Sequence, residues 1–392
     1  MDAILEAAGA DTKQACLGRR VLVAQDTTEL NFPRSARRRG LGPAGNGKTP
    51  GFFIHAQVAV DIEDEAVLGL VGAKIWTREQ GRVSPRHDRA IEDKESLRWL
   101  EGACTAAARL GSAAQVVVAG DQEADLWEHF ARRPPGVELL VRARHDRGVG
   151  EAGSLFTAPT AWAELARYEI TISPRAVGEK ARKTTVAVRA GRVEVRRPSA
   201  CKDGPKTLDL GLVEAREVDE PPPGREPVLW RLLTTLPVAQ VEQATEVVRL
   251  YRLRWRIEEV FRTLKKDGLR LEETQVCEAE HLFRLAALAI AASARILQLV
   301  DARDGGPRPM SDVLDQDLAP AVAVIGKTRE GSTSRQKNPY AEGSLAWLSW
   351  IVARFGGWNC YGKPPGPKTM ADGWKRFEAI LSGYLIATGE LP

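Results

Sequence analysis

Five strand-like runs, and the order in which they come, restrict this chain to very few folds. Residues 20–25 (RVLVAQ), 51–61 (GFFIHAQVAVD) and 66–79 (AVLGLVGAKIWTRE) are three apolar, β-branched segments in succession, the last two joined by the acidic turn 62–65. Residues 93–110 then carry apolar side chains at helical spacing, 115–119 (QVVVA) is a short apolar strand, 122–132 is helix-like, and 136–145 (GVELLVRARH) is a further strand. Three meandering strands followed by alternating helix and strand point to an α/β layer and not to an all-β sandwich.

The pattern changes over residues 146–238, where 168–173, 184–197 around an Ala190-Gly191 turn, 208–218 and 228–236 all read as strands, so a β-rich insertion is expected. Helical periodicity returns without Pro or Gly over 240–266, and a second apolar helix is expected at 279–300. The tail 301–343 is rich in Gly, Pro and Ser, with 305–343 left unassigned, after which 345–354 and 370–385 read as helices.

Composition removes several function classes. With 392 residues and 43% hydrophobic content the chain has ample material for a core, which excludes wholesale disorder. The uncharged apolar stretch 285–294 is too short to cross a bilayer of about 30 Å, so no membrane span is expected. Residues 1–10 carry Asp2 and Glu6 and lack the basic and apolar regions of a secretory signal. Five scattered cysteines with no CxxC pair indicate neither a disulfide framework nor a structural zinc site, and fit a reducing cytoplasm. The net charge is only +4, but residues 249–270 hold eight basic side chains against three acidic ones, a local +5 of the kind a phosphate backbone attracts.

Gly42 to Thr49 (GPAGNGKT) satisfies the literal GxxxxGK[ST] pattern of phosphate-cradling loops. That loop works by feeding a helix N-terminus, whereas here Pro50-Gly51 and a strand follow, so a Gly-rich hairpin is expected and no nucleoside triphosphate. A more distributed pattern carries chemistry. Asp26 and Asp121 each stand at the end of an apolar strand, where burying an unpartnered carboxylate costs several kcal/mol. On the 240–266 helix, Tyr251, Arg254, Glu258 and Lys265 fall at about 0°, −60°, −20° and −40° for 100° per residue, so a phenol, a guanidinium, a carboxylate and an ammonium share one face.

These residues resemble the DDE transposases of the insertion-sequence-four group, to which the transposase of transposon five belongs. Tyr251, Arg254, Glu258 and Lys265 are similar at every spacing to that group's Y-x2-R-x3-E-x6-K signature, the YREK motif. Residues 25–28 (QDTT) resemble the segment around its first catalytic aspartate, and 120–125 (GDQEAD) that around its second. Residues 92–100 (EDKESLRWL), 141–145 (VRARH), 343–357 and Gly373-Trp374 also resemble family blocks, in the same order.

The resemblance implies a ribonuclease-H-like α/β core (20–145 and 239–300) interrupted by the β-rich insertion (146–238), with a helical, dimerising C-terminal region (301–392). It implies that Asp26, Asp121 and Glu258 are catalytic and hold two Mg²⁺ or Mn²⁺ ions, hard cations suited to carboxylate oxygens. Such a pair of ions serves in-line phosphoryl displacement without a covalent enzyme intermediate. Tyr251, Arg254, Lys265, Arg262, Arg142 and Arg144 would contact DNA phosphates, and Trp230 would stack on a flipped base when a DNA end closes as a hairpin. The implied partner is double-stranded DNA, at transposon ends and target, engaged by a homodimer in the cytoplasm on the bacterial nucleoid. The implied activity is cut-and-paste transposition. Residues 1–19 are too short for the N-terminal DNA-binding domain usual in the family, and Gln122 stands where the family often has Arg. The alternative is therefore a truncated, non-catalytic relic that inhibits a full-length partner by dimerising with it.

Overall fold

The computed structural model describes residues 1–32, 38–45, 49–78, 91–150, 153–172 and 181–389. Its first part contains helix α1 (Asp2–Ala15), strands β1 (Arg20–Asn31), β2 (Gly51–Asp61) and β3 (Val67–Trp76), helix α2 (Leu97–Arg109), strand β4 (Gln115–Gly120), helix α3 (Trp127–Ala131) and strand β5 (Val137–Arg142). The phosphate-loop pattern at 42–49 includes residues 46–48, which lie outside the described residues. Thr49 is followed by β2, and Gly42 sits against the end of β3, where its ideal Cβ would lie 1.5 Å from the carbonyl oxygen of Arg78.

Strands β3, β2 and β1 form an antiparallel meander, and β4 and β5 add to β1 in parallel, giving the order 3-2-1-4-5. The architecture is mixed α/β, consistent with the ribonuclease-H-like expectation. The insertion does not close a sheet of its own. Strands β6 (Gly148–Val149), β7 (Gly153–Ser154), β8 (Ala166–Ile172), β9 (Arg182–Arg196), β10 (Thr207–Glu217) and β11 (Leu229–Thr234) extend the core sheet, because β11 pairs antiparallel with β5 and β10 and β9 follow. The expected turn at Ala190-Gly191 is corrected: β9 runs straight through it. Gly191 serves there to let the Trp162 indole lie on the strand, since a Cβ would meet that ring at 2.8 Å.

The second part is helical: α4 (Val241–Leu253), α5 (Arg256–Arg262), α6 (Ala279–Ala302), α7 (Ala319–Lys327), α8 (Leu345–Phe355) and α9 (Pro367–Thr388). The expected single helix over 240–266 is also corrected. At residues 255–258 the backbone bonds tighten to i→i−3, with Trp255, Ile257 and Glu258 N–H groups donating to the carbonyls of Arg252, Arg254 and Trp255. At Thr263–Asp267 the winding loosens to a single π turn. Such changes of winding tend to sit at functional positions, and no Gly or Pro announces them.

Period-2 alternation along the strands divides the core in two. Leu22, Ala24, Val117, Ala119, Leu140 and Leu232 face one layer, which they share with Val247, Leu250, Tyr251, Ile257, Val260 and Phe261 of α4 and α5 and with Leu282, Ala286 and Ile290 of α6. Val21, Val23, Val116, Val118, Leu139 and Val141 face the opposite layer, with Trp99 and Ala103 of α2 and Trp127 and Phe130 around α3. A third cluster joins the end of α6 to α7, α8 and α9.

The sequence reading missed α1, the short strands β6 and β7, α7 within the unassigned 305–343 stretch, and the division of 122–132 into a 3-10 turn (Gln122–Ala124) and α3. The Thr12 hydroxyl of α1 donates to the Leu70 carbonyl of β3 at 2.9 Å, tying the first helix to the sheet. Among the described residues, α6 is the one helix long and apolar enough to cross a membrane by length and composition. In this fold it is a core helix, packed on β3, α5, α8 and α9.

Candidate active site

The site grows out of the register between two parallel strands. Ala24 of β1 pairs with Ala119 of β4, and Asp26 and Asp121 each lie two residues further on; the expected end of the first strand at Asp26 is corrected, because β1 runs on to Asn31 against β2 and Asp26 pairs with Ala56 in mid-strand, while its pairing with β4 stops at Ala24. Asp121 retains extended backbone beyond the strand end, so alternation places both carboxylates toward the layer holding α4–α6. Each is oriented by its own following chain. The Thr27 N–H donates to Asp26 Oδ1 at 2.7 Å, and the Glu123 N–H donates to Asp121 Oδ1 at 2.8 Å, capping the 3-10 turn. Gly120 makes that tight reversal possible, since a Cβ there would stand 2.4 Å from the Ala124 methyl and 3.1 Å from Trp99.

The tightened helix junction meets Asp26 from the α4–α6 side of the sheet. Arg254, 9% exposed, donates from Nη1 to Asp26 Oδ2 at 2.7 Å and lies 5.6 Å from the Tyr251 ring. Its Nε is buried without a hydrogen-bond partner. Burial pushes the Asp26 carboxyl up to about 7; Arg254 opposes that rise, while the charges of Asp121 and Glu258 add to it. The Arg254 guanidinium in turn feels Tyr251, Asp26, Asp121 and Glu258. Burial also lowers the Lys265 ammonium, against the pull of Glu272, Glu29 and Glu258. The Asp26 carboxylate thus feels Asp121 and Glu258, and the buried Arg254 guanidinium feels all three.

Of the remaining sequence-predicted residues, Arg142 and Trp230 lie on the same face of the sheet, while Arg144 and Arg262 are exposed. Arg142 ends β5, two residues after Leu140 and so on the same face, and its Nη2 donates to the Leu229 carbonyl at 3.2 Å. Trp230 of β11 lies two residues before Leu232, again on that face, and meets Tyr251 edge-on with ring centroids 5.5 Å apart. Arg144 is exposed, with its backbone N–H held by Asp125 Oδ2 at 2.7 Å. Arg262 is exposed and paired with Asp267 at 3.2 Å. Among the described residues no hydrogen bond or ion pair ties Arg144 or Arg262 to the carboxylate cluster.

Asp125, five residues past Gly120, is fully enclosed. It binds the Arg147 guanidinium and accepts the N–H groups of Arg144 and His145, so it shapes the loop that follows β5. Glu259 pairs with Arg256, which also binds Asp301 of α6, and so ties α5 to its neighbour.

As donors, Asp26, Asp121 and Glu258 offer hard oxygen ligands, and their mutual repulsion is the electrostatic condition a divalent cation relieves. Among the described residues no three such side chains converge as a ready ligand set, and Asp26 is engaged by Arg254 instead. The donor chemistry fits Mg²⁺ or Mn²⁺ and disfavours a thiol-seeking metal.

A comparison with family models matches residues 130–294 to the transposase DDE domain. The matched segment runs from the end of α3 through the insertion, the Tyr251-to-Lys265 helices and most of α6; it contains Glu258 and begins downstream of Asp26 and Asp121. This stretch of the chain is therefore similar to the transposase DDE domain, and the likeness supports a DDE transposase acting on DNA.

Proposed function

We propose that the chain is the catalytic core of a cut-and-paste transposase of the insertion-sequence-four, YREK class, with Asp26, Asp121 and Glu258 as the metal-holding, catalytic carboxylates. What supports the reading most is a single arrangement: two aspartates at matched positions on parallel strands, with Glu258 and Arg254 over them. Divalent cations held there would activate a water or a 3′ hydroxyl and stabilise the leaving oxygen of a phosphodiester. The protein's own side chains bind and align the strand. Arg254 and Lys265 supply positive charge beside the carboxylates, Tyr251 supports Trp230, and Arg142, Arg144 and Arg262 contact further phosphates. Double-stranded DNA is the substrate, and two copies of the chain act on paired ends, meeting through the helices from 345 onward.

The test uses the purified full chain, Mg²⁺, and a duplex carrying the sequence that flanks its coding region. Metal-dependent nicking, followed by hairpin formation and strand transfer, is the expected course; no cleavage with either Mg²⁺ or Mn²⁺ would remove the proposal. Within it, Trp230→Ala is expected to reduce hairpin formation by about 10-fold, the loss of one stacked base at about 1–3 kcal/mol, while first-strand nicking stays within about 2-fold. An equal loss of both steps on a denaturing gel would instead assign the indole to packing against Tyr251.

A further inference from the structure

We propose that Arg98 is a positioning residue that clamps the two aspartate-bearing segments, mid-β1 and the turn after β4, together from the side of the sheet opposite Glu258, an inference that rests on the function just proposed. Arg98 lies on α2 and is 8% exposed. Its Nε donates to the Thr27 hydroxyl oxygen at 2.9 Å, its Nη2 to Glu123 Oε2 at 2.6 Å, and its Nη1 to the Glu95 carbonyl at 3.0 Å. Thr27 and Glu123 are the two residues whose backbone N–H groups orient Asp26 and Asp121. One planar guanidinium therefore holds both segments through the groups that aim their carboxylates, a bridge that a point-charged ammonium spans only in part.

The clamp is itself seated. Thr27 Oγ1 lies 2.9 Å from Nδ1 of the fully buried His55, whose Nε2 lies 3.0 Å from Gln25 Oε1, so hydrogen bonds hold β1 on both sides of Asp26. His55 is kept neutral by burial, and the chain transmits orientation without adding charge. Gly102, one helical turn after Arg98, lets α2 close on β1; its Cβ would stand 2.4 Å from Gln25 Oε1.

The deciding experiment is amide hydrogen exchange on the full chain without metal, comparing residues 25–28 and 121–124 with β2 as an internal reference. Arg98→Gln is expected to speed exchange about 10-fold in both segments with β2 unchanged. Arg98→Lys should restore protection in part, and Glu123→Ala, at an exposed side chain, should release 121–124 alone. In parallel, Arg98→Gln should weaken Mn²⁺ binding about 10- to 100-fold, as loss of a supporting partner does, and lower kcat for cleavage without raising KM for DNA. Wild-type exchange in both segments, or equal acceleration of β2, overturns the clamp. Should Arg98→Gln fail to fold, Glu123→Ala decides: selective release of 121–124 supports the clamp and no release overturns it. A wild type that neither binds Mn²⁺ nor cuts DNA overturns the proposed function, while the exchange pattern still decides whether Arg98 clamps the two segments.

Discussion

Glu258→Ala is expected to lower Mg²⁺-dependent strand cleavage by at least about 10³-fold, on the order of 4 kcal/mol of barrier, while the protein folds as before. Glu258 is half-buried on α5, and it is a source of repulsion for Asp26. Removing it deletes no packing anchor and eases a like-charge contact, so the thermal midpoint should hold or rise slightly. The adjacent Glu259→Ala makes the contrast. Glu259 pairs with Arg256, which is held between it and Asp301, so its loss should cost about 1 kcal/mol of stability with cleavage largely kept. Cleavage kinetics and urea melts on the two variants separate catalytic from structural acid. The reverse pattern, with Glu258→Ala active and Glu259→Ala dead, would place the chemistry elsewhere on α5.

The second large effect is expected from a single methyl group at the crossing of α8 and α9. An ideal Cβ on Gly373 would stand 2.0 Å from the Val352 carbonyl oxygen and 2.9 Å from the Gly356 N–H nitrogen, while Gly356 faces the Thr369 carbonyl at 2.0 Å in the same way. Helices α8 and α9 thus cross with backbone against backbone, and the crossing seats Trp347, Trp350 and Phe355 against Trp374 and Phe377. No rotamer can relieve a Cβ set against main chain. Gly373→Ala must separate the helices, at an expected cost of about 3 kcal/mol, despite the better helix propensity of alanine. A clear fall in the urea midpoint, with loss of the near-ultraviolet tryptophan signal of this cluster, is the expected result. An unchanged midpoint would mean that α8 and α9 do not meet at this glycine pair.

Much of the sheet was legible because its cues are local. The runs at 51–61 and 115–119 are strands within a residue of their expected bounds, since uninterrupted β-branched sequence buried on both faces leaves little alternative. The polar ends of two such runs also exposed Asp26 and Asp121 as candidates. The helix carrying Tyr251, Arg254, Glu258 and Lys265 was legible as a stripe but not in its winding. Its tightening at 255–258 goes with a long-range bond from Arg254 to Asp26, 228 positions away, and local periodicity cannot register that bond. Gly191 misled for the opposite reason: Ala-Gly is a common turn pair, and only the Trp162 ring lying on the strand explains the glycine there. Arg98 lay within the familiar-looking block EDKESLRWL, yet its partners Thr27 and Glu123 belong to other elements, so no spacing rule could assign it.

The most direct test of the central claim replaces Mg²⁺ by Fe²⁺ in the full chain and adds ascorbate and peroxide, so that radicals formed at the bound metal cut the backbone nearest to it. Cuts clustered near residues 26, 121 and 258, suppressed by excess Mg²⁺ and weakened in Glu258→Ala, are predicted. Cuts confined to other segments, or a pattern that excess Mg²⁺ does not alter, would contradict the account.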